Sequence, residues 1–82
     1  MNTYNIDYNR LSYLGDKVKL GNSTIEEKNE FMLMLYQNGN ITQKQYSDYK
    51  NNQNAEEIVK AGLAIGAVVL IGYLIKQLFS IK

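Results

Sequence analysis

The chain reads as an all-α protein: a short helical hairpin, preceded by an extended or irregular Tyr-rich arm and followed by one C-terminal transmembrane helix. Three observations predict this. Residues 61–75 form a fifteen-residue run without a charge, bounded by Lys60 and Lys76. Residues 23–50 hold two helix-opening patterns on either side of an Asn38-Gly39 stop. The first twenty-two residues are rich in Tyr and Asn and keep no single periodicity. The corresponding divisions are 1–22 for the arm, 23–53 for the hairpin and 54–82 for the anchor.

In the arm, Tyr4, Ile6 and Tyr8 alternate with Asn5 and Asp7 in strand fashion, yet Tyr4, Tyr8, Leu11 and Leu14 also fit one helical face. Both readings stand. Gly15 and Gly21 bracket Asp16, Lys17, Val18, Lys19 and Leu20, where Lys alternates with apolar residues as on a short, half-exposed strand. A lone strand is unstable by itself. The expectation is therefore an arm that docks on a partner's sheet edge, a loosely ordered loop, or local packing onto the hairpin. Tyr supplies contact area and a hydrogen-bonding hydroxyl, so Tyr4, Tyr8, Tyr13, Tyr46 and Tyr49 are the candidate partner-binding residues.

The hairpin opens with Ser23 and Glu26, or Thr24 and Glu27, as a capping box. Phe31 to Tyr36 supply an apolar run, and Gly39 stands where a left-handed residue ends a helix. Thr42 with Gln45 opens the second helix, Ile41 is placed to staple against Tyr46, and Tyr46 and Tyr49 share a face.

The stretch Leu35-Tyr36-Gln37-Asn38-Gly39-Asn40-Ile41-Thr42-Gln43-Lys44-Gln45-Tyr46, with Lys50 after it, resembles the helix–Gly-x-Ile-Thr–helix core of short C-terminal (SHOCT-type) domains. The likeness covers residues 31–50. It departs from the family in Gln45 and Tyr46, where an acid followed by Phe is usual, and in the membrane helix that follows. What the resemblance implies is a small interaction or oligomerisation module without enzymatic activity. The capping chemistry by itself is equally met by a capped αα-hairpin of no particular family.

Asn51, Asn52, Gln53 and Asn54 make a polar junction. Asn54 is a candidate N-cap with Glu57 three residues on, so the last helix is expected to begin near Ala55. A spanning helix needs roughly 20 apolar residues. Snorkelling of Lys60 and Lys76 lets Ile58, Val59, Leu78, Phe79 and Ile81 extend the run to that length. The candidate anchor residues are Ala61, Gly62, Leu63, Gly66, Val69, Gly72, Tyr73 and Ile75, with Lys60 and Lys76 at the membrane interfaces. The alternatives are a helix buried in a larger assembly and a soluble core helix. An apolar all-round helix needs a partner on every side, and the first sixty residues carry ten Asn, seven basic and eight acidic side chains. Gly62 and Gly66 have the spacing of a close helix–helix contact, with a second copy or another membrane protein. Basic residues flank the run equally, two per side, so charge sets no orientation; the short tail and the lack of an N-terminal signal favour a cytoplasmic bulk.

The formal charge of +1 argues against nucleic acid as a partner. With neither Cys nor His, the chain lacks the thiolate, the imidazole base and the commonest zinc ligands. The carboxylates, Asp7, Asp16, Glu26, Glu27, Glu30, Asp48, Glu56 and Glu57, form no pair in apolar surroundings, and no phosphate-binding loop is present. No catalytic residue, cofactor or metal site is expected. The functional expectation is a non-enzymatic, single-pass membrane-anchored structural or interaction protein that links a bilayer to a neighbouring protein assembly. The Asn- and Lys-rich composition suits an AT-rich bacterial or phage genome, so the concrete version is a minor virion protein joining an internal viral membrane to a capsid shell. The alternatives are a holin-like pore former, for which residues 61–75 lack a polar stripe, and an accessory subunit of a cellular membrane complex.

Overall fold

The computed structural model describes residues 7–80, which form four helices: α1 Tyr8–Lys19, α2 Ile25–Gln37, α3 Gln43–Lys50 and α4 Ala55–Ser80. The all-α class holds, and among the described residues there is no strand. Tyr4 and its immediate neighbours lie outside the described residues.

The N-terminal region corrects the expectation of an extended or irregular arm. From Tyr8 onward it is helix α1, and the strand expected at residues 16–20 is its last turn and cap. The physical reason is packing. Leu11 and Leu14 point into the core, with Val18 against it at helical spacing, and Asp7 opens the helix by accepting the Arg10 N–H at 3.0 Å. Gly15, which looked like a break, sits where a Cβ would lie 3.4 Å from the Phe31 ring. It serves close helix approach rather than a turn.

The three connections are one device used three times. After α1, Asn22 N–H bonds Lys17 O and Gly21 N–H bonds Val18 O; after α2, Asn40 bonds Leu35 O and Gly39 bonds Tyr36 O; after α3, Gln53 bonds Asp48 O and Asn52 bonds Tyr49 O. Each is the paired Schellman closure, whose C′ residue is left-handed. Gly21 (φ 75°), Gly39 (φ 74°) and Asn52 (φ 61°) occupy that position. The reopening is as regular, since Thr24 with Glu27 and Thr42 with Gln45 both form complete capping boxes. Asn54 departs from its expected role: its φ of 53° is left-handed, whereas an N-cap needs an extended backbone. Two left-handed Asn residues let the chain reverse within four residues before α4.

Leu11, Leu14, Phe31, Met32, Leu35, Ile41, Tyr49 and Ile58 form the core. Each of the four helices contributes to it. Tyr8 stacks on Tyr73 towards the far end of α4, while Val18 and Leu63 line the same groove near its start, so α1 runs antiparallel to α4. α2 crosses α4 at Gly62 and Gly66, and α3 packs beside its first turns.

Candidate functional site

α4 has twenty-six residues, about 39 Å at 1.5 Å per residue, and its Ala55–Lys76 stretch is long and apolar enough to cross a membrane. Its two sides have different fates. On one side Gly62 and Gly66 are buried under α2. A Cβ on Gly62 would lie 2.9 Å from Leu35 Cδ1 and 3.4 Å from Met32 Sδ; one on Gly66 would lie 3.5 Å from the Phe31 ring. The helix that makes the close approach is thus α2 of the same chain, where the sequence pointed to a second copy or another membrane protein. Val69 and Tyr73 continue this side in half-buried positions.

The other side is bare. Ala64, Ala67, Val68, Ile71, Leu74, Ile75 and Leu78 are exposed, Val68 by 68% and Leu78 by 70%. At spacings of three and four residues they make one stripe, longer than the isolated apolar residues that ordinary surfaces carry. Of the expected anchor residues only Gly72 and Ile75 are exposed; Ala61, Leu63, Val69 and Tyr73 are half-buried. Lys60 and Lys76 are both exposed, one towards each end of the stripe. The sequence did not single out this face, because the helix is apolar around its whole circumference. The available signal was the small-residue spacing, which marks the docked side and leaves the opposite side by elimination.

The tyrosines are largely used inside the chain. Tyr8 stacks on Tyr73 with ring centroids 3.9 Å apart. Tyr46 lies between Tyr36, at 4.8 Å, and Tyr49, at 6.5 Å. Tyr49 is buried and donates its hydroxyl to Asn29 Oδ1, and burial raises its phenol above the ordinary value. Tyr13 alone of the expected partner-binding set is broadly exposed among the described residues, its ring flanked by Arg10 and Lys17 at 5.4 and 5.5 Å.

α1 is tied to α2 by charge as well as by packing. Arg10 grips Glu30 with two hydrogen bonds, Nε to Oε2 at 2.9 Å and Nη2 to Oε1 at 2.8 Å, and these hold the Glu30 carboxyl below the usual range. Glu27 is also lowered, first by the Thr24 backbone N–H and then by Lys17 at 3.2 Å. No group of three or more Asp and Glu placed to hold a metal exists among the described residues. Compared with protein-family models, curated proteins and solved structures, the chain matches none.

Proposed function

We propose that this is a non-enzymatic, membrane-attached interaction protein, with α4 as the bilayer element and α1–α3 as a polar module turned towards a neighbouring protein assembly. The observation that carries the reading is the bareness of α4. A soluble core helix would be mostly covered, whereas only 17% of its most apolar stretch is buried. The stripe from Ala64 to Leu78 holds no polar side chain, which favours attachment over a water-lined pore. Tyr13, between two cations, is the exposed aromatic of the polar module among the described residues.

The compact form constrains how lipid is met. α1 lies along α4 as far as Tyr73, carrying Arg10 bound to Glu30 and Lys17 bound to Glu27. A crossing with α1 docked would bring these charges to hydrocarbon depth, at about 2.5–3.5 kcal/mol for each Arg or Lys at mid-membrane on insertion scales. The compact form therefore meets lipid through its bare stripe, and α4 crosses only after α1 has let go.

Flotation of the purified full-length chain with phosphatidylcholine vesicles tests the reading. The full chain should float, and Ile71→Lys with Leu74→Lys, which leaves the side packed on α2 intact, should stay in the soluble fraction. Alkaline extraction then separates the two modes, since a surface-bound chain is released and a crossing chain is retained. A full-length chain that is soluble and monomeric without detergent, and does not float, overturns the proposal.

A further inference from the structure

The ends of α1 and α3 and the starts of α2 and α4 border an open groove of about 830 Å³, within the range of small-molecule sites. Lys19, Lys28, Lys50 and Lys60 line it, and Glu56 is the one carboxylate among its lining residues. Four like charges around one cleft repel each other, and among the lining residues only Glu56 offsets them. Its ion pairs lie elsewhere, at Arg10–Glu30, Lys17–Glu27 and Lys44–Asp48. None of the four groove lysines makes a salt bridge among the described residues; Lys50 lies 5.8 Å over the Tyr46 ring.

We propose that this groove binds the head group of an anionic phospholipid, an inference that rests on the membrane reading of α4. Charge complementarity specifies an anion, and the remaining walls specify what the anion is attached to. Val18, Ile25, Val59 and Leu63 give the groove an apolar lining that free phosphate would leave uncovered. Ile25 is 73% exposed, an apolar side chain left at the groove for an acyl or glycerol segment to cover. Lys60 adds the geometric argument. Ala64, Ala67, Val68 and Ile71 follow it at four, seven, eight and eleven residues, on one helical face. A lipid with its phosphate at Lys60 can lay its chains along the bare stripe of α4. Nucleic acid is the poorer fit, because a chain of net charge +1 offers one cationic cleft and no extended track for a phosphate backbone.

The test compares vesicles of phosphatidylcholine alone with vesicles that also contain phosphatidylglycerol, using the full-length chain. Two double variants of equal net charge are compared: Lys28→Gln with Lys60→Gln in the groove, and Lys17→Gln with Lys44→Gln outside it. Each lysine at an anionic surface contributes roughly fivefold in affinity, so the groove pair should lower binding to anionic vesicles about thirtyfold. The outside pair should change it far less, and the preference for anionic over neutral vesicles should fall in the groove pair alone. Equal losses from both pairs would mean diffuse attraction and overturn the site. A second arm titrates the chain with short-chain phosphatidylglycerol below its micelle concentration, following the backbone amides of Ile25, Val59 and Leu63 by NMR. Saturable shifts that inorganic phosphate does not reproduce support the site even if the chain fails to bind vesicles, an outcome that would sink the membrane reading alone. Absence of shifts, or equal shifts with inorganic phosphate, overturns the lipid assignment.

Discussion

The two sides of α4 are made of the same kind of residue and behave oppositely. Gly62, Gly66, Val69 and Tyr73 are covered by α1 and α2, while Val68, Ile71, Leu74 and Leu78, a few ångströms away around the same helix, are bare. Hydrophobicity cannot have made this choice, since both sides have it. Shape made it. Two glycines a turn apart cut a shallow notch into which Phe31, Met32 and Leu35 fit, whereas opposite them Val68, Ile71 and Leu74 stand out from the helix. The contrast also divides the labour: the notched side holds the bundle together, and the bare side is the face we propose for lipid.

The largest expected effect breaks the bare side alone. Ile71→Lys with Leu74→Lys puts two charges on positions that are 56% and 59% exposed. Each charge costs about 2.5 kcal/mol or more at hydrocarbon depth and less nearer the interface. Vesicle flotation should be lost, with the melting temperature of the bundle held within about 4 °C, the small effect usual for surface changes. A matching fall in melting temperature would mean that the two sides are not separable.

The notched side is sharpened by two glycine variants with opposite expectations. Gly62→Leu overfills a site where even a Cβ would stand 2.9 Å from Leu35, and overpacking of this kind costs about 1–3 kcal/mol. Gly66→Ala meets only ordinary contacts from 3.5 Å outward. Removing a mid-helix Gly should therefore stabilise by about 0.5–1 kcal/mol. Thermal melting followed by circular dichroism reads both. If the two variants shift the melting temperature in the same direction, the notch is not what seats α2.

How much of this was legible in the sequence depended on whether the cause was local. The capping box at Thr42 and the stop at Gly39 are decided within a few residues of chain and were readable in advance, while the first box was narrowed to Ser23 or Thr24, of which the fold uses Thr24. The start and length of α4 were readable too, from the polar junction and the uncharged run. Helix α1 was only half legible. Its alternating Lys17-Val18-Lys19 and its interior Gly15 argue for a strand, and they are overruled by Phe31, sixteen residues further along, which needs Gly15 as a neighbour. The same holds for the aromatic residues: no local pattern says that Tyr8 will meet Tyr73, sixty-five positions away. The groove lysines, at positions 19, 28, 50 and 60, come together only through the fold.

Away from both sides of α4, the α2–α3 turn offers a control of smaller size. Gly39 sits at φ 74° with open space around its missing Cβ, so Gly39→Val meets backbone strain and no clash. The cost should be about 1 kcal/mol or somewhat more, seen in melting, with vesicle flotation unchanged. A loss of flotation would show that the polar module shapes the bare side from a distance.

The smallest effect concerns the charge clasp between α1 and α2, which supplements the packing that holds α1 over the notched side. Glu30 is held below the ordinary carboxylate range by Arg10. A carboxylate lowered in the folded state contributes stability that is complete above its unfolded value, near 4.3 for Glu, and that is lost as pH falls through its folded value. Stability should therefore decline on the acid side of that window, as Arg10 loses its partner. Glu27 shares the window through Thr24 and Lys17, so Glu30→Gln should flatten the decline without abolishing it, at the cost of slightly lower stability at neutral pH. Both groups of the Arg10–Glu30 pair are about two-fifths exposed, which keeps the effect small and salt-sensitive. Melting temperature against pH, for the wild type and Glu30→Gln at low and high salt, gives the comparison. Identical acid slopes would mean that the clasp adds nothing to the packing of Leu11, Leu14 and Phe31 beneath it.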